Sequence, residues 1–491
     1  MKKSFAIVLA LVLLLAISGC RQAEHAVPTA EKPLRICFDM GTSWDEEGGR
    51  SRQEQYVQDL ISTYFFFVSH TEGDVGLTEE QIEIEYIPSD EDKAADRSAV
   101  LQRLRTEIMG GGGPDVFVCV CDGMGDPYEV EGSRLFPYVE FAMEDNLFLP
   151  LDEYMTEFTY TDPQQLTAAL LDGGKNEAGE QVVIPFRYTI PVLYFERGDL
   201  EPVDQSGKTW DDVLTSDDPL LKEQVRWAWP IYWGFSEYNR HDFHESALPC
   251  LLPAMVDTQR RTLAFTEDEL FELVQKSLSA TQELLKEDSE ILNDAWYFMR
   301  TGLGLRTPLN RRDSGDDDGL TLLPMRNQTG GVTAMICSYG AVNANTAYPK
   351  EAASLLDYLS RAGVQTDQIY IGGATVFGGA LTEMCGMPVN AEARTMVRTL
   401  NETGFLFSPW SLDEWEKATQ QIDTVHFPSE MDTLLKEMTR EIGVELRKSV
   451  EPENVWPACP EHYANGTISE EKMREIVHEA YKKMVERIGE A

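Results

Sequence analysis

Between Leu34 and Cys121 the chain alternates strand and helix patterns, and no other feature limits its fold so tightly. LRICFDM (34–40) has strand length and apolar bias. From 50 to 67, Tyr56, Leu60, Tyr64 and Phe67 fall on one helical face. IEIEYI (82–87) alternates strictly and predicts a second strand, and 91–109 predicts a helix with Val100, Leu101, Leu104 and Ile108 inward. DVFVCVC (115–121) is apolar on both faces, which places it in the middle of a parallel sheet covered by helices. Strand, helix, strand, helix, strand is the order of a doubly wound α/β domain.

The glycines before that last strand, in IMGGGGPDVFVCVCDG (108–123), suggest a phosphate loop. Such a loop needs a strand before the glycines, a helix after them and a Lys-Ser or Lys-Thr pair. Here the helix comes first, so Gly110 to Gly113 read as a left-handed helix cap and Pro114 as the fixed entry to the strand. Asp115 is expected to bind backbone near this turn. Cys119 and Cys121 lack the C-x-x-C spacing and are expected to be buried thiols.

The chain opens MKKSFAIVLALVLLLAISGC. Lys2 and Lys3 precede an apolar run from Phe5 to Ile17 that is short for a permanent membrane helix. Ile17-Ser18-Gly19-Cys20 resembles the lipobox of bacterial lipoproteins, which implies a diacylglycerol on the sulfur of Cys20 and cleavage just before it. Residues 21–33 are polar with two prolines and read as a tether, so the folded part is expected to begin near Leu34. The length that follows exceeds what one core usually holds, and two lobes are expected. Eighty-four acidic and 42 basic residues give a net charge of −42, a surface that repels nucleic acid and disfavours a strongly anionic ligand. Beyond Cys20, the cysteines at 37, 119, 121, 250, 337, 385 and 459 are odd in number and irregular in spacing, unlike a disulfide framework.

The glycine turn followed by Pro-Asp-Val and an apolar strand resembles a segment of bacterial extracellular solute-binding proteins of family 1, the group serving ABC importers of carbohydrates. Further stretches resemble that family in its own order: DNLFLPLDEYM (145–155), GEQVVIPFRYTIPVLYFERGDL (179–200), TWDDVL (209–214), LTLLPM (320–325), GVTAMICSYGAVNANTAYPKEAASLLDYLSRAG (331–363) and HYANGTISEEKMREIVHEAYKKMVERI (462–488). GDLEP after the second crossing and the long insert at 448–463, which carries Trp456, depart from the pattern. The resemblance implies two doubly wound α/β lobes joined by a hinge, the type II periplasmic-binding-protein fold, with ligand in the cleft between them. Lobe one would take 34–187 and 330–379; lobe two would take 188–329 and 380–491. The last helix is also legible by itself. Met473, Ile476, Val477, Ala480, Tyr481, Met484, Val485 and Ile488 form a stripe, and Thr467 with Glu470 resembles a capping box.

A sugar presents apolar C–H faces and a rim of hydroxyls, so its site needs flat rings beside carboxylates and amides. Such groups sit on loops at the carboxyl ends of strands. Trp44 and Asp45 follow the first strand, Asp122 follows the Pro-Asp-Val strand, and Arg187, Tyr188 and Thr189 lie at the first crossing. Within WAWPIYWGFSEYN (227–239), Trp229, Tyr232 and Trp233 resemble the family's sugar-stacking segment of the second lobe, although at least one of these rings is expected in the core. Trp410 and Trp415 are expected to anchor a helix start.

Signals for an enzyme are poor. There is no G-x-S-x-G and no H-E-x-x-H, and His241, His244 and Glu245 lack a third metal ligand. DSGDDDG (313–319) lacks the spacing of a calcium loop. The expectation is a monomer that uses no cofactor or metal, is tethered to the outer face of the cytoplasmic membrane, and delivers a sugar to ABC permease subunits. The alternatives are the same fold binding a polyol, a peptide-like compound or a metal complex, or a surface glycan hydrolase, whose pair of carboxylates could hide among so many acids.

Overall fold

The computed structural model describes residues 26–39, 61–65, 77–87, 90–120, 134–196, 203–227, 248–286, 320–365, 387–402, 412–450 and 464–490. Strand β1 (Leu34–Asp39) pairs in parallel with β2 (Ile82–Tyr86) on one side and β3 (Val116–Val120) on the other. Helix α1 (Asp90–Met109) connects β2 to β3 and buries Leu101, Leu104 and Ile108, with Val100 partly covered. The strand-helix-strand order read over 82–121 is that of the fold; of the helix expected at 50–67 only 61–65 lie within the described residues, where they are helical with Tyr64 buried.

The turn after α1 is a Schellman motif. Gly112 N donates to Glu107 O at 2.9 Å and Gly111 N to Ile108 O at 2.9 Å, with Gly111 at φ +78°. Asp115 then ties the turn to its neighbours. Its carboxylate accepts from Arg35 N at 2.8 Å and from Thr346 Oγ1 at 2.6 Å, and burial pushes its pKa up. Cys119 is buried, whereas Cys121 lies outside the described residues.

Three more strands build out the sheet: β4 (Val183–Thr189), β9 (Val332–Val342) and β10 (Met387–Pro388). A seventh, β11 (Ile422–His426), pairs in parallel with the first part of β9. The order is β10-β4-β9-β3-β1-β2, and β9 runs antiparallel to both β3 and β4. All eleven residues of β9 are buried, because it is the spine shared by β3, β4 and β11. At Gly340 a Cβ would come within 2.6 Å of Leu356 and Phe186, so helix α6 (Pro349–Ser360) and β4 approach β9 at a distance that requires glycine there.

Two principal hydrophobic clusters form. The first surrounds the large sheet. The second gathers α3 (Trp210–Leu214), α4 (Pro219–Trp227), α5 (Glu267–Lys286), α9 (Glu430–Val450) and α10 (Glu470–Glu490). Beside it lie two small antiparallel pairs, β5 (Val192–Glu196) with β8 (Leu320–Pro324) and β6 (Val256–Asp257) with β7 (Thr262–Leu263). The chain is mixed α/β. Helix α2 (Val139–Glu144) serves both clusters, giving Val139, Ala142 and Met143 to the first and Phe141 to the second.

Among the described residues the chain passes between the clusters after Val192, which still packs with the first, then at 324–332 from β8 to β9, and at 426–430 from β11 to α9. The second passage is knotted by Asn327. Its backbone oxygen accepts from Trp210 N at 2.9 Å, and its side chain donates to Asp423 at 2.8 Å. Asn327 is fully buried, so its N-x-T sequon is inaccessible.

The sequence reading placed 115–121 in the middle of a parallel sheet, but β3 is parallel to β1 and antiparallel to β9, so the sheet is mixed there. The structure differs from the sequence reading in four further places. Met387, Val389, Trp415, Ala418, Ile422 and Phe427, expected in lobe two, pack with the first cluster, because β10 and β11 join the large sheet and Trp415 buries beneath it. Packed structure is already present before Leu34: Thr29 and Lys32 exchange backbone hydrogen bonds, Gln81 holds the Pro28 carbonyl, and Tyr348 Oη donates to Lys32 O at 2.9 Å. The last helix is capped by Ser469, whose Oγ accepts from Lys472 N at 3.1 Å, and not by Thr467. Val485, assigned to the buried stripe, is 48% exposed.

Candidate functional site

The carboxyl ends of β1 and β3 lie side by side, with Asp39 in register with Cys119. Asp39 closes β1 with a buried bidentate ion pair to Arg97 of α1, at 2.9 and 3.0 Å. This pair fixes the end of β1, the strand that precedes Trp44 and Asp45 in sequence. Trp44, Asp45, Asp122, Trp229, Tyr232, Trp233 and the lipidation candidate Cys20 lie outside the described residues.

Arg187, Tyr188 and Thr189 end β4 at the first crossing, and all three are buried. The β4–β9 register shifts on both sides of Arg187, so the strand is irregular there, although Tyr188 and Thr189 still pair with Ile336 and Met335. The Arg187 guanidinium holds the Gln365 carbonyl. Tyr188 faces the other way, into the packing of α8 (Leu412–Thr419): its hydroxyl accepts from Trp415 Nε1 at 3.0 Å and lies 2.6 Å from Thr419 Oγ1. Burial pushes the Tyr188 phenol upward in pKa, so it stays protonated. Tyr188 and Trp415 thus fasten α8 to the sheet, and Trp415 anchors this helix as expected.

Thr189 is different. Its Oγ1 is buried and has no hydrogen-bond partner among the described residues, and the same holds for Nε2 of Gln365. Leaving such a group unsatisfied costs about 1–3 kcal/mol. A hydroxyl and an amide of this kind are groups that a hydroxyl-rich solute would engage.

Two features escaped the sequence reading. Gln365 follows α6 without a motif to mark it. The pair His426–Asp432 at the third crossing had one legible sign, the S-x-x-D spacing of Ser429 and Asp432 that resembles a capping box. Among the described residues no three His, Cys, Asp or Glu side chains gather to hold a metal, and no helix is long and apolar enough to cross a membrane.

No family profile matches the sequence, and no curated protein does. Solved structures do align over most of the chain. An extracellular solute-binding protein family 1 member from Alicyclobacillus acidocaldarius aligns at 12% identity and TM-score 0.49, covering 92% of this chain and 99% of its own. A periplasmic oligogalacturonide binding protein from Yersinia enterocolitica aligns at 14% identity and TM-score 0.47, over 92% and 99%. A de novo designed cysteine esterase aligns at 13% identity and TM-score 0.46, over 95% and 99%. At such identities and scores these likenesses assign no ligand, activity or partner to this chain.

Proposed function

We propose that the chain is the solute-binding component of an ABC importer, tethered by lipid on Cys20 to the outer face of the cytoplasmic membrane. It captures a sugar or oligosaccharide between two lobes and presents it to the permease. The observation that supports this reading is the buried hydroxyl of Thr189, without a hydrogen-bond partner among the described residues, at the end of β4, just before the chain passes from the first core toward the second. Trp44, Asp45, Asp122 and Arg187 complete the site from the first lobe, and Trp229, Tyr232 and Trp233 from the second. Tyr188 supports it from beneath. The protein does no chemistry; closure takes its free energy from solute contacting both lobes.

A thermal-shift screen over mono- and oligosaccharides tests the proposal. A solute at a hundred times its dissociation constant adds about 2.7 kcal/mol of stability. A stabilised protein that leaves the sugar intact supports capture, whereas product formation makes the chain a glycan hydrolase. Blank results across carbohydrates, with a response to a polyol, peptide-like compound or metal complex, would move the proposal to another solute.

A further inference from the structure

We propose that the buried pair His426–Asp432 is a proton-operated latch on the third crossing, one that governs how freely the two cores move about it. The inference rests on the binding-protein reading and adds a control to its hinge.

The geometry begins with helix α9. Ser429 is its N-cap, with Oγ accepting from Met431 N at 3.3 Å. Asp432 returns the bond in capping-box fashion, accepting from Ser429 N at 2.6 Å. The same carboxylate also meets Nε2 of His426 at 2.8 and 3.0 Å. One side chain therefore both starts the helix and binds the strand before it. His426 ends β11, which belongs to the large sheet, whereas Met431 and Leu435 of α9 belong to the second core. Phe427, between them, packs edge-on against Tyr339 of β9, with ring centroids 5.5 Å apart. Any rotation of α9 away from β11 must separate His426 from Asp432, both of which are buried. A buried ion pair resists this, since each charge would be left without a partner or water.

The groups around the imidazole set the response to protons. From α9 comes Asp432, and from α2 comes Glu140, whose own helix spans both cores. Opposing them is Arg134, whose guanidinium donates to Pro428 O in the crossing at 3.0 Å. β9 places Met335 opposite His426 and adds no charge there. Farther out, Glu430 lies 4.0 Å from Arg487 of α10, and Arg105 of α1 donates to the Leu135 carbonyl at 3.2 Å. Burial works to lower the pKa of His426, but the Asp432 carboxylate overrides it and holds the value above the ordinary histidine range. With the imidazolium present, the charges balance. Burial pushes the Glu140 carboxyl up in pKa, so Asp432 is the firm counter-charge; once the imidazolium loses its proton, the Asp432 carboxylate faces a neutral ring and the latch weakens.

Hydrogen exchange on the solute-free mature chain, with small-angle scattering alongside, tests this without any sugar. After correction for intrinsic rates, the amides of 429–433 should lose about tenfold or more protection between roughly pH 6 and pH 9, while amides in α5 stay unchanged. The radius of gyration should rise over the same interval. Asp432→Asn keeps a capping oxygen but removes the charge, so at about pH 6 it should match the wild type at about pH 9 and respond no further. His426→Gln should behave in the same way. Protection and radius that ignore pH in the wild type, or variants that keep the full response, overturn the latch. A blank sugar screen removes only the ligand assignment and leaves these outcomes intact.

Discussion

At the scale of single residues, the glycines of the cap separate two costs. Gly111 has φ +78° with open space around its missing Cβ, whereas Gly113, at φ +92°, would place a Cβ 2.9 Å from Ile108. Gly111→Ala should cost about 1–2 kcal/mol for the left-handed backbone alone, and Gly113→Ala clearly more, read as successive drops in the urea midpoint. Tyr188→Phe strands Trp415 Nε1 in the core and should cost about 1–3 kcal/mol. Thr189→Val, in contrast, replaces an unsatisfied hydroxyl with a methyl of similar shape. It should leave the solute-free protein as stable or slightly more so while weakening solute binding in calorimetry; a large loss of stability would place the hydroxyl in the fold and not in the site. The role of Asp115 was legible because helix, glycines and strand fix the turn around it. The fate of Tyr188 was not, because its partners Trp415 and Thr419 lie more than two hundred positions away, and no local pattern reports a contact of that range.

At the scale of elements, β1 to β3 were readable because each carries its own periodicity. The placement of β10 and β11 was not, because β10 has two residues and β11 half-exposed positions, and only pairing with β4 and β9 assigns them. The third crossing also shapes stability against pH. His426 has a raised pKa in the fold, so its contribution is complete below the ordinary histidine value and is lost as pH rises through the raised one. Burial alone would raise the pKa of Asp432, yet the adjacent imidazole holds it below the usual carboxylate range, so its contribution fades only as pH falls through that lowered value. Thermal unfolding should therefore show a plateau between two limbs, and His426→Gln should flatten the alkaline one.

At the scale of the whole molecule, the net charge of −42 favours neutral or cationic solutes over anions, and raising the salt should narrow that preference. Cys20→Ser should release the protein from membranes into the medium and abolish palmitate labelling; unchanged fractionation would remove the lipid anchor from the proposal. Docking of Pro28 to Lys32 against Gln81 and Tyr348 gives that anchor a mechanical meaning. Were Cys20 lipidated as proposed, the eight links from Cys20 to Pro28 could span at most roughly 28 Å. A body held on so short a lead would sweep a thin shell above the bilayer, where the proposed permease would meet it at an effective concentration on the order of millimolar. Capture and hand-over would then be encounters between neighbours, limited by reorientation more than by diffusion.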